Sequence, residues 1–249
     1  MAAPLIAALA LAIGAAGAAS ASMAPATLSA PASNVLEAVR AQYAPITNLS
    51  CTVRRETQDD QGAAIETTSL VEWARGDRMR VQVLKGNGGG RRVVIDGESV
   101  FVKYPGEEAP QKFLVANQAP TQFANLRSVP ASPEEQLAPL ADLPATEAKP
   151  IPPYARTIAF GDTALLSFDD QGRVACLDFS LPPSEGIPAT SSSTLFKAPL
   201  EVLPGIWLFR RVENDATING KHLNYVSRFD RIEVNGDIPD TVFDPNFNF

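Results

Sequence analysis

Histidine occurs once in this chain, as His222, and cysteine twice, as Cys51 and Cys176. A zinc site with several histidines is thereby excluded, and two distant cysteines supply no C-x-x-C pair. The chain is not a disulfide scaffold either. Pairing of the two thiols would close a long loop, contributing about 4–5 kcal/mol on a loop-entropy model. Both lie in strand-like stretches, LSCTV and RVACLDF, where buried free cysteines are equally ordinary; unpaired thiols are the favoured reading. Positive charge is short as well. The net charge of -7 argues against nucleic acid as a partner, which wants a basic face, and against docking on anionic lipid. Arg75, Arg78, Arg80, Arg91 and Arg92 are locally dense, and read as alternate exposed strand positions. Aromatic residues make up only 7%, too few for the sugar platforms that accompany glycosidase carboxylates.

Motifs of catalysis are missing too. Neither G-x-S-x-G nor S-x-x-K appears. KGNGGGRR is glycine-rich but lacks the GK[ST] ending and leads into a strand, so it is a loop rather than a phosphate cradle. Acidic pairs such as Asp169–Asp170 fall at turns, without the ligand spacing calcium requires. A Cys–His pair with His222 has no local support; His222 reads as a solvated strand residue. The expectation is a binding protein, not an enzyme, with no cofactor and no metal.

What is present begins with an uncharged N-terminal stretch, MAAPLIAALALAIGAAGAASASMA. Its apolar part, from about Leu5 to Ala16, is shorter than the roughly 20 residues that span a bilayer. Ala19-Ser20-Ala21 fits an A-x-A cleavage site, so residues 1–21 read as a signal peptide and the mature chain as a periplasmic or secreted protein. No later run is long and apolar enough to cross a membrane. Residues 22–33, rich in Ala, Pro and Ser, read as a flexible leader.

SNVLEAVRAQYAP predicts a short amphipathic helix with Asn34 as its cap, Leu36, Val39 and Tyr43 on one face, and Pro45 as its stop. After Ile46 the hydrophobic period changes to two. Turn signals at Asp60-Gln61-Gly62, Gly76-Asp77, Asn87 to Gly90 and Asp96-Gly97 separate antiparallel strands. In RMRVQVL, Met79, Val81 and Val83 share an apolar face, with Arg78, Arg80 and Gln82 on a wet one. From Val115 to Pro153 prolines are too frequent for strands. Two helical turns fit there, Thr121 to Leu126 and Pro133 to Leu140, the second capped by Ser132. Phe123, Leu126, Leu137 and Leu140 give this insert an apolar side, as in a lid. Strands resume at RTIAF, pause at SEGIPATSSSTLFKAP, which reads as a loop, and continue as GIWLFRRVENDATI and KHLNYVSRFDRIEVN. Phe243 anchors the tail. The expected fold is mainly β (α+β): one domain over residues 34–249, a strongly bent antiparallel sheet or unclosed half-barrel, with an N-terminal helix and a helical insert as plug and lid. Such a sheet can line a cavity for an elongated apolar ligand.

LVEWARGDRMRVQVL, VVIDGESVFVKYPGEE and the tail VNGDIPDTVFDP resemble, in this order, the strand signatures of LolA-like periplasmic lipoprotein carriers. The resemblance spans most of Asn34 to Phe249 and is best from Ile46 to Tyr104. It implies a half-barrel cavity for acyl chains of lipoproteins or lipid cargo, received from an inner-membrane release complex and delivered to an outer-membrane acceptor by a monomer. It places Met79, Val81, Val83, Val93, Ile95 and Phe101 in the cargo cavity and makes Arg75 the lid latch. Gly76 stands where the family has Pro, and Met79 where it has an aromatic. The alternative within the same resemblance is an RseB-like envelope-stress regulator that binds a membrane-protein partner. Such regulators carry a second, smaller domain, whereas the chain after Ile151 reads as completing one barrel.

Overall fold

The computed structural model describes residues 26–58, 63–97, 99–114, 128–183, 189–218 and 220–246. Their thirteen strands form one antiparallel sheet. The first six are β1 (Asn48–Gln58), β2 (Ala64–Ala74), β3 (Arg78–Lys85), β4 (Arg92–Asp96), β5 (Ser99–Lys103) and β6 (Gln111–Leu114). After the insert come β7 (Ala145–Ala148), β8 (Arg156–Phe160), β9 (Ala164–Phe168) and β10 (Val174–Leu181). The long strands β11 (Thr190–Leu203), β12 (Ile206–Ile218) and β13 (Lys221–Val234) complete it. The spatial order is β6-β5-β4-β3-β2-β1-β13-β12-β11-β10-β9-β8-β7. Each half is a meander, and the first strand pairs with the last at the centre. β6 and β7 are the two edges, and the sheet is not closed into a barrel.

This order decides where the insert runs. The chain leaves the sheet at one edge, β6, and re-enters at the opposite edge, β7. The described part of the insert turns into the concavity. Val129, Ala131, Leu137 and Leu140 belong to the main core, and Phe209 N donates to Ala131 O at 3.2 Å. Helix α3 (Glu134–Leu137) and a 3-10 turn (Ala138–Leu140) form where helical turns were expected, and Ser132 Oγ accepts from Glu134 N. The turn expected from Thr121 to Leu126, with Phe123 and Leu126, lies outside the described residues.

Helix α2 (Val35–Tyr43) fills the rest of the concavity with Val35, Val39 and Tyr43. Asn34 makes no side-chain cap bond to it, contrary to the expected cap. The leader differs from expectation as well. Residues Ala26–Ser29 form a short helix, α1, and Ala32–Asn34 a 3-10 turn beside β7. Thr27 is buried and its hydroxyl donates to Gly172 O. Two stretches read as irregular are strands. The Pro-rich insert contains β7, bracketed by Pro144 and Pro150, a placement an edge strand tolerates. The Ser/Thr run 190–194 belongs to β11, in register with both β10 and β12.

The outer face is not uniformly wet. The C-terminal segment folds back over β3 and β4, burying Val242 and Phe243 against Ala74. Arg80, expected to be solvated, is 4% exposed and paired with Glu72. Arg92 is also buried and donates to Pro245 O at 2.8 Å.

Candidate functional site

Cross-strand register sorts the inner face. Met79 lies opposite Ile95 and Trp73, Val81 opposite Val93 and Val71, and Val83 opposite Ser69. Ile95 and Val93 then face Val100 and Val102 on β5. Met79, Val81, Val83, Val93 and Ile95 thus share one apolar surface with Leu49, Cys51 and Val53 of β1. Phe101 does not join them. It pairs with Val94 and Lys112, which puts it on the outer face, where the Lys112 ammonium stands 5.5 Å from its ring centroid. Strand parity explains this: Phe101 is one residue out of step with Val100 and Val102.

The apolar surface continues across the second half through Phe229, Leu208, Phe196, Leu166 and Ile158. Helix α2 and the segment carrying Leu137 and Leu140 pack against it. With them in place it is a core.

Two arginines tie the plugging elements to the sheet. Arg75, just beyond β2, donates from Nη2 to Tyr43 O at 2.7 Å and from Nε to Ile46 O at 2.9 Å. The Tyr43 carbonyl lies at the C-terminal end of α2, where the helix leaves acceptors without intrahelical partners and the dipole favours a cation; Ile46 follows in the turn beyond. Arg156, at the start of β8, bonds Thr27 O, Leu28 O and Ala30 O at the end of α1, and pairs with Glu147. Arg75 was expected to latch the lid; among the described residues its guanidinium hydrogen-bonds to α2 and the turn after it. Arg156 was missed. Its signal was present in the alternation, because Arg156 shares parity with the buried Ile158 and Phe160.

Glu134 stands at the same junction. Its carboxylate accepts from Val129 N at 3.0 Å, while burial pushes its pKa up against the pull of Arg75 and Arg40. Burial, with Glu134 adding to it, also holds the Tyr43 phenol neutral well above its usual range. Tyr43 donates to Trp207 O at 2.8 Å, linking α2 to β12. Among the described residues no group of His, Cys, Asp and Glu is arranged to hold a metal. Open space of about 680 Å³ lies elsewhere, along the rim of β8 to β12 at Ala159, Leu165, Asp178, Ser193 and Asp215. None of the expected cavity residues lines it.

No family model matches the chain, and no curated protein does. Solved structures do. A LolA superfamily protein from Nitrosomonas europaea is 14% identical with a TM-score of 0.57, over 86% of this chain and 97% of that one. A DUF1329 family protein from Desulfovibrio piger is 8% identical with a TM-score of 0.60, over 89% and 98%. A domain from Vibrio parahaemolyticus assigned to outer membrane lipoprotein sorting is 8% identical with a TM-score of 0.59, over 86% and 97%. At these identities the likeness establishes the fold: this chain has a LolA-like fold.

Proposed function

We propose, on the premise of this LolA-like fold, that the protein is an exported envelope carrier. In this reading the inner face takes the acyl chains of lipoproteins or related lipidated cargo, and the protein shuttles them toward the outer membrane. It works as a monomer between an inner-membrane release complex and an outer-membrane acceptor, and it binds rather than catalyses. Residues 1–21 act as the signal peptide. No helix among the described residues is long and apolar enough to cross a membrane.

One observation carries the proposal. Among the described residues the apolar inner surface is covered by two short pieces, α2 and the segment from Val129 to Leu140, instead of by a second sheet. A surface that its own chain covers with short elements is a surface that a long apolar ligand can take over, because each exchange replaces apolar contact with apolar contact. Met79, Val81, Val83, Val93 and Ile95 are the proposed wall; Leu137 and Leu140 belong to the lid, with Phe123 and Leu126 preceding them. Arg75 is the proposed latch, acting through α2.

The test is mass spectrometry of what co-purifies with the mature protein from native envelopes, together with Val81→Glu. Lipoproteins or lipids on the wild type, lost in the folded variant, are the expected result. A folded Val81→Glu protein that retains its cargo would move the site off this wall. A stoichiometric membrane protein with no lipid would point instead to an RseB-like regulator.

A further inference from the structure

The open space of about 680 Å³ along β8 to β12 falls within the range of small-molecule clefts, roughly 300–1,000 Å³. Register fixes its floor. Asp178 lies opposite Ser193 and Ser193 opposite Asp215, and Leu165 and Ala159 continue the row on β9 and β8. Two residues further along the strands, Ser180, Ser191 and Thr217 form a parallel row of hydroxyls. Alternation puts both rows on the face opposite to the core residues Leu177 and Phe196. The fixed charges here are of one sign. Asp162, Asp178 and Asp215 line the space, and among the described residues no Lys or Arg does. Asp178 Oδ2 accepts from the Cys176 thiol, a weak donor 3.6 Å away, and Asp215 Oδ1 lies 3.4 Å from His222 Nδ1. An adjoining cavity of about 400 Å³, which shares Ser193 and Asp215, differs: its Glu213 is paired with Lys197 and Arg211, and its Glu56 with Arg228. A cleft lined by one sign of charge focuses the field and concentrates ligands of the other sign.

We infer that this cleft binds an elongated organic cation, with alkylammonium groups joined by a methylene chain. Distance selects that shape. Asp178 and Asp215 stand two strand spacings apart, about 10 Å. A single calcium ion, whose oxygen ligands lie about 2.3–2.6 Å away, cannot touch both. Two ammonium groups on one chain can. Each ammonium carries three donors and no acceptor. Asp178 with Ser193 across from it and Ser180 beside it supplies three acceptors, and Asp215 with Ser193 and Thr217 supplies another three. The methylenes between the heads cross β11, and Leu165 and Ala159 extend the floor with apolar surface. Free polyamines and the lysine side chains of a peptide share this chemistry. The cleft lies on the opposite face of the sheet from the acyl wall, so the inference stands apart from the carrier reading.

Isothermal titration of the purified protein with spermidine, tetralysine and uncharged hexanediol tests it. At least one of the two polycations is expected to bind at a single site, and the diol is not. Tighter spermidine marks a free polyamine as the source of the ammonium groups; tighter tetralysine marks a lysine-bearing peptide. Asp178→Asn and Asp215→Asn are each expected to weaken the polycation about tenfold, the scale of one charge-assisted hydrogen bond. Glu108→Gln, which removes a carboxylate between β5 and β6 at the far edge of the sheet, is expected to leave binding unaltered. Equal weakening by all three substitutions would trace the attraction to the net charge of -7 and overturn the inference, as would binding of neither polycation. Lipid cargo carried by Asp178→Asn at the wild-type level separates this result from the fate of the carrier reading.

Discussion

Glu134 sits where α2, the cross-mouth segment and the end of β2 meet, and its environment works against its charge. Burial raises its pKa, while Val129 N–H, Arg75, Ser132 and Arg40 pull the other way without winning. A carboxylate whose folded pKa exceeds its unfolded value binds protons more tightly in the folded state. Stability therefore falls as pH rises from the unfolded value, about 4.3, through the raised folded one, and the full cost is present above it. Glu134→Gln keeps an oxygen for Val129 N–H and removes the charge. The variant is expected to melt higher than wild type at neutral pH, with the difference vanishing below about pH 4. Thermal unfolding across that range checks it, and a constant difference at all pH values would contradict it. At this scale the sequence was legible through parity. Met79, Val81 and Val83 face inward as alternation says, and Phe101 faces outward by the same rule, applied one residue more carefully. Arg80 was not legible, because the tail that packs on its strand, β3, comes more than 150 residues further along the chain.

Elements tell a related story. The leader reads as flexible because Ala, Pro, Ser and Thr offer no periodicity. Its described part is nonetheless held, since Arg156 donates to three of its carbonyls and its own Thr27 is buried. Removing residues up to Pro31 is expected to lower stability by about 2–4 kcal/mol, from lost charge-assisted hydrogen bonds and packing. Denaturant unfolding of the shortened chain measures this; an unchanged midpoint would return the leader to a mere tether. β7 and the start of β11 were misread for the reverse reason. Their Pro and Ser content is poor for strands in isolation, but a neighbouring strand in register supplies the hydrogen bonds that propensity does not. The helices at Val35–Tyr43 and Glu134–Leu137 were legible because amphipathic spacing, and for the second a Ser cap, are local signals.

At the scale of the molecule, the two cysteines test the topology. Cys51 faces the inner core from β1, whereas Cys176 lies on the opposite face of β10, beside Ser193. Four strand spacings separate β1 from β10 in the sheet order, roughly 19 Å. A disulfide needs Cα atoms within about 7 Å. Both thiols are buried and free, and burial raises the pKa of each. Air-oxidised protein is expected to melt at the same temperature with and without reductant, and alkylation after unfolding should label both cysteines. Protection of either until reduction would refute the sheet order. The sequence by itself determined the strand-rich class, the hairpins, the inward apolar set and the short helices, because each depends on period and turn chemistry within a dozen residues. Only the tertiary structure decided that β1 pairs with β13, that β6 and β7 become opposite edges, and that Arg75 and Arg156 end on carbonyls at and just beyond helix ends. Those pairings join residues far apart in the chain. They are chosen by which faces must be covered at once, a condition that no local stretch contains.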